Sequence, residues 1–190
     1  MKLGNISLAV SATVTAAMLG GCASTPELMV DGQSLLQTRT VYTQTNLHPD
    51  TKLARLFSIN YQQDGFIPRC SEVKLIDVSS SEMNFVYQGQ RYQYVYHGAS
   101  GDFDRNIKKY FSNQCDDSVL AKLNEIDRKG LAAGKVYEGM SKLGVTLAIG
   151  YPPQHVTPSL KASVWRYWNN RFNTFMVHFD DQGLVIQIQE

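Results

Sequence analysis

Thr174-Phe175-Met176-Val177-His178-Phe179-Asp180-Asp181-Gln182-Gly183-Leu184-Val185-Ile186-Gln187-Ile188-Gln189 decides the fold of the C-terminal half. Phe175, Val177 and Phe179 fall at every second position, and so do Leu184, Ile186 and Ile188. A period of two belongs to a strand with one face buried. Asp180-Asp181-Gln182-Gly183 between them is turn chemistry, since Asp bonds nearby backbone and Gly tolerates positive φ. The stretch predicts two antiparallel strands over 174–179 and 184–189, each turning its apolar face to one core.

Working upstream, 164–169 reads as a third strand, with Trp165 and Tyr167 on one side and Arg166 and Trp168 on the other. Before it, Ser141 is suited to cap a helix carrying Leu143, Val145, Leu147 and Ile149, which Gly150 and Pro152-Pro153 end. A further helix is predicted from Asp117 or Ser118 as cap, through Val119, Leu120, Leu123 and Ile126, to Lys129-Gly130.

Gly139-Met140-Ser141, a short helix, Gly150-Tyr151-Pro152, then Trp165-Arg166-Tyr167 and two alternating strands resemble the SmpA/OmlA (BamE-like) family of outer-membrane lipoproteins. The resemblance runs over about 117–189, under half of the chain beyond its leader. It implies two helices on a three-stranded antiparallel sheet and a place in outer-membrane protein assembly. Gly139, Met140, Ser141, Gly150, Pro152, Trp165 and Tyr167 then carry the structural motif. Pro152-Pro153-Gln154-His155 and the cluster Arg166, Trp168, Asn169, Asn170 and Arg171 depart from the family pattern, and 40–116 has no counterpart in it.

That preceding segment carries its own signals. Val73, Leu75 and Asp77 alternate with Lys74, Ile76 and Val78; runs over 83–88 and 91–96 follow short polar breaks; and Tyr92, Tyr94 and Tyr96 share a face. Three strands in a meander result. The tyrosines read as a sheet face, with a stacking platform for sugar or peptide as the other reading. Phe103, Ile107, Tyr110 and Phe111 then take helical spacing behind Asp102. The expected class is α+β: a disulfide-stapled meander and helix over 40–116, then a BamE-like domain over 117–190.

The leader decides the compartment. Lys2 precedes an uncharged run over 6–19, and Leu19-Gly20-Gly21-Cys22 follows. This is the layout of a secretory signal ending in the lipobox of bacterial lipoproteins. It predicts a signal peptide over 1–21, lipidation of Cys22 and a tether over 22–39. Ala23 after the cysteine, where aspartate marks inner-membrane retention in the enterobacterial proteins it resembles, favours the outer membrane and its periplasmic face. Acyl chains contribute about 0.8 kcal/mol per buried CH₂. With Cys22 lipidated, Cys70 and Cys115 remain in an oxidising compartment, so they are expected to pair. Closing a loop of that length should stabilise the fold by roughly 4 kcal/mol.

Lys2 is the single charged residue of the leader, so the rest of the chain is formally neutral. Such a balance offers no electrostatic footprint for nucleic acid. His48, His97, His155 and His178 are scattered without metal-ligand spacing, and Gly98-Ala99-Ser100-Gly101 reads as a turn. Neither a catalytic constellation nor a cofactor or metal is expected. The functional expectation is a non-enzymatic, lipid-anchored interaction module that meets an envelope protein partner. Binding of an envelope ligand such as peptidoglycan is the alternative. Arg166, Trp168, Asn170 and Arg171 form the candidate interface, because Trp and Arg are favoured anchors. That face could equally pack against the 40–116 module.

Overall fold

The computed structural model describes residues 28–190 other than Asp31, so the expected signal peptide and Cys22 lie outside the described residues. A two-stranded hairpin, β1 (Met29–Val30) and β2 (Gln33–Ser34), leads into a one-turn helix α1 (Leu35–Thr38). Leu28 and Leu35 are fully buried, and the Leu35 amide donates to the Leu28 carbonyl at 2.9 Å. Of the tether expected over 22–39, the part from Leu28 onward is corrected: Leu28 and Leu35 already belong to the fold. These leucines lack periodic apolar neighbours, so the segment reads as linker although burying each contributes roughly 1.5–3 kcal/mol.

Next come β3 (Thr40–Thr43), β4 (Arg55–Phe57), β5 (Glu72–Val78), β6 (Glu82–Tyr87) and β7 (Gln90–Val95). The expected meander β5-β6-β7 forms. The helix α2 (Phe103–Tyr110) follows, starting at Asp102, whose carboxylate accepts from the Arg105 amide at 2.7 Å; Phe111, expected on the helical stripe, is instead extended and opens β8 (Phe111–Ser112). Together the strands make a six-stranded sheet in the order β4-β7-β6-β5-β3-β8. All its pairings are antiparallel except β4 with β7. Phe111 on one edge meets both Phe85 and Tyr94, at ring centroids 5.5 and 5.7 Å, so the sheet curls around its core. In β5 the register shifts between Leu75 and Asp77. The bulge corrects the expected alternation: Val78 joins Val73 and Leu75 in the core, and Asp77 stays outside with Ile76.

The disulfide between Cys70 and Cys115 forms as expected, with Cα atoms 5.5 Å apart, and ties the start of β5 to the chain just beyond β8. The single helix expected from Asp117 to Gly130 is instead two elements: a 3₁₀ turn over Asp117–Lys122 and the helix α3 (Glu125–Ala133). Asn124 separates them, because its side chain takes the Asp127 amide at 2.7 Å and starts a new helix. Gly130 does not end α3 but lies inside it, pressed against Met140.

The helix α4 (Lys142–Ile149) runs from Ser141 to Gly150 as expected. The strands β9 (Val164–Trp168), β10 (Thr174–Phe179) and β11 (Val185–Gln189) form an antiparallel sheet in the order β11-β10-β9. The helix α4 and the three strands enclose a second core of Met140, Val145, Ile149, Trp165, Val177 and Phe179, and α3 packs on α4 with Gly130 against Met140. The expected face Leu184, Ile186 and Ile188 is corrected. The register shifts between His178 and Phe179, placing Val185 opposite Phe179. Val185 is buried and Ile186 is 57% exposed. A bulge switches faces between neighbours, which strict alternation cannot register.

Candidate functional site

The Gly139-Met140-Ser141 motif is built around a carboxylate that the sequence reading did not single out. Asp127 is fully buried, and its oxygens accept from the Asn124 amide (3.2 Å), the Ser141 amide (2.7 Å) and the Ser141 hydroxyl (2.8 Å). The Ser141 Oγ accepts in turn from the Gly144 amide at 3.0 Å. One side chain thus serves the N-termini of α3 and α4, where helices leave donors unsatisfied and favour negative charge. A Cβ on Gly144 would overlap Asp127 Oδ1, so the spacing Ser141 to Gly144 is set by this contact.

The other end of α4 is satisfied from the first half of the chain. The Leu147 carbonyl accepts from the Asn46 amide at 2.9 Å. The Ala148 carbonyl accepts from Asn46 Nδ2 at 3.1 Å, with His48 Nε2 at 3.2 Å. Ile149 is met by Asn60 Nδ2 and Gln62 Nε2, each at 2.9 Å. The Gly150 carbonyl takes the Tyr167 hydroxyl at 3.0 Å. Gly150 has φ 78°, and a Cβ there would stand 2.9 Å from Asn60 Nδ2. Its glycine is required twice, by conformation and by close approach. Pro152 follows as a buried stop.

Where the two halves meet, a cleft of about 520 Å³ opens between His48, Gln62, Gln63 and Phe66 of the first half and Lys135 and Phe175 of the second. Burial lowers the pKa of His48 from its ordinary value, and carbonyl contacts to Ala148 and Gly65 oppose this less strongly. Phe66 covers the ring at 5.9 Å. The Oε1 atoms of Gln62 and Gln63 are buried with no hydrogen-bond partner among the described residues. The cleft is a recess of mixed lining, with Asp64, Lys135 and Glu190 beside Phe66, Phe175 and Ile188.

On β9, Trp165 and Tyr167 point into the second core and Arg166 points out. Trp168 is half-buried: His155 stacks on it at 5.4 Å, and its carbonyl takes the Gln62 amide at 2.8 Å. Beyond it, the Asn170 side chain accepts from the amides of Phe172 (2.9 Å) and Asn173 (3.1 Å) and closes the hairpin turn. Arg171 sets its guanidinium over the Phe172 ring at 4.5 Å. Phe172 is 77% exposed, more than any other large apolar residue described. The candidate interface thus divides, with Trp168 partly covered by His155 and Arg171 and Asn170 at a tip led by Phe172. Alternation could not reveal Phe172, because it lies in the turn between two strands; an aromatic flanked by Arg171 and asparagines was the available signal.

Of the tyrosine face, Tyr94 is core, Tyr92 is partly buried against it and Tyr96 is exposed. Tyr94 stacks on Phe103 at 5.9 Å, Tyr92 on Phe85 at 5.5 Å, and Tyr96 meets Phe103 edge-on at 5.5 Å. Burial raises the phenol pKa of Tyr92 and, far more, of Tyr94. Cys70, Cys115 and Asp117 bring three potential metal donors within 4.8 Å. The sulfurs are bonded to each other, and the Arg69 guanidinium donates to Cys70 Sγ (2.8 Å) and Asp117 Oδ1 (2.9 Å), filling the position a cation would take. No described helix is long and apolar enough to cross a membrane. No family model matches the chain, no curated protein matches it, and no solved structure matches its fold.

Proposed function

We propose that the chain is a lipoprotein of the outer membrane, anchored through Cys22 at the periplasmic face, that acts as a non-enzymatic interaction module in envelope or outer-membrane protein assembly. The observation that carries the reading is the hairpin tip: Phe172, 77% exposed with Arg171 stacked on it, is held by an Asn170 turn and serves no core. Exposed aromatic and arginine pairs are what interfaces use as anchors. The motif order around Ser141 and Trp165, with α4 over three antiparallel strands and α3 against α4, supports an SmpA/OmlA-like second half. The non-enzymatic part is supported by Asp127 and Ser141, which spend their hydrogen bonds on helix caps.

The cleft at Gln62 and Gln63 favours the second reading, an envelope ligand such as a peptidoglycan fragment. A photo-crosslinking side chain at position 172 in cells separates them. Crosslinks to one envelope protein support the first reading. Absence of protein crosslinks there, with saturable muropeptide binding that Gln62→Ala abolishes, replaces it with the second.

A further inference from the structure

Arg105 and Lys109 stand one turn apart on α2 and line a recess of about 200 Å³ together with Tyr151, Gln154, Thr157 and Leu160. Neither cation forms an ion pair among the described residues, where Arg69 and Arg91 are the paired arginines. The Lys109 ammonium is half-buried, 5.6 Å from the centre of the Tyr151 ring. Like charges one turn apart on a helix repel. Burial, and then the Arg105 charge, lowers the Lys109 pKa below the ordinary lysine value. Two positive charges without a carboxylate partner among the described residues therefore stand at the mouth of a concavity, one of them poorly solvated. Leu160, 45% exposed, supplies an apolar rim.

We propose that this recess binds a phosphomonoester group, with Arg105 as the fork and Lys109 as the point charge on its oxygens. A phosphomonoester carries about −1.5 to −2 charges near neutral pH and so matches both cations, whereas a carboxylate neutralises only one. Arginine contributes paired parallel donors and lysine a single compact charge, a division of labour suited to a tetrahedral anion. The site is independent of the hairpin tip at Phe172. It joins α2 to the segment after Gly150, so an anion bound there would also bridge the two halves of the chain.

The test follows the acylation rate of the Lys109 amine by mass spectrometry in the mature lipoprotein held in neutral maltoside micelles. The probes are inorganic phosphate and micelles doped with phosphatidic acid. Chloride at equal ionic strength and phosphatidylcholine-doped micelles are the controls. At a probe concentration about ten times its Kd, Lys109 should react about tenfold more slowly, since the free fraction falls accordingly, while exposed Lys108 keeps its rate. Arg105→Gln should remove most of that protection with the melting temperature unchanged. Protection by both probes, or by phosphate alone, assigns the site to the phosphate group itself; protection by phosphatidic acid alone assigns it to a lipid-borne phosphate. Unchanged Lys109 reactivity in both arms, equal protection of Lys108, or undiminished protection in Arg105→Gln overturns the proposal.

Discussion

The side-chain amide of Asn46 donates to the carbonyl of Ala148, 102 residues further along the chain, at 3.1 Å. The same amide reaches the Leu131 carbonyl at 2.8 Å, and Asn46 Oδ1 accepts from the Arg69 amide at 2.8 Å. One buried side chain therefore closes the C-terminal turns of α3 and α4 and holds the strand approach to the disulfide. The two cores, although separate, share their polar closure.

Asn46→Ala should accordingly cost about 2–4 kcal/mol, because it leaves buried carbonyls without donors as well as removing hydrogen bonds. Calorimetry of the wild type should show a single transition for both halves. Two resolved transitions in the wild type, or a loss below about 0.5 kcal/mol in the variant, would contradict the shared closure.

Gly144→Ala tests the buried carboxylate. Alanine is the better helix former by roughly 1 kcal/mol, so an unconstrained site would gain stability. Here the added methyl overlaps Asp127 Oδ1, and the capping network must open. The expected outcome is a loss of about 1–3 kcal/mol, as for overpacking. Combining the change with Asp127→Ala should recover part of it; additive losses in the double mutant would remove the contact as the cause.

The legibility of this chain followed the range of each interaction. The meander, the helix behind Asp102, Ser141 as cap and the Cys70–Cys115 bridge depend on local chemistry or residue count, and they were readable. Ile186 escaped because a bulge breaks alternation at one residue, and the helix expected from Asp117 broke because Asn124 offered a better cap. Asn46 and Asp127 were invisible for a different reason. Their partners are Ala148 and Ser141, and nothing in a linear pattern says which carbonyl or amide a polar side chain will meet. Phe172 was overlooked because turn residues carry no face.

His48 sets a pH dependence. Burial lowers its folded-state pKa below the unfolded value near 6.5. Below that value the unfolded chain binds more protons than the folded one, so stability falls as acid is added. The contribution is complete above about pH 6.5 and is lost as pH falls through the lowered folded-state value. Denaturant unfolding of the wild type should weaken from pH 7 to pH 5, and His48→Gln should flatten that slope. An unchanged slope in His48→Gln assigns the acid sensitivity to other groups.

The exposed tip and the buried strand beneath it should separate binding from folding. Trp165 is fully buried, with its ring centroid 4.8 Å from that of Phe179, so Trp165→Ala should cost about 3–5 kcal/mol. Trp168 is half-buried under His155, and Trp168→Ala should cost less, about 1–2 kcal/mol. Phe172→Ala should change stability by less than about 0.5 kcal/mol, because the residue is 77% exposed. If the tip anchors a partner, that last variant loses the crosslink formed in cells while keeping the wild-type melting temperature. Retention of the crosslink in Phe172→Ala and its loss in Trp168→Ala would move the anchor down the strand. Contact would then run along the outer face of β9, where Arg166 stands beside Trp168, and the hairpin turn would be only its border.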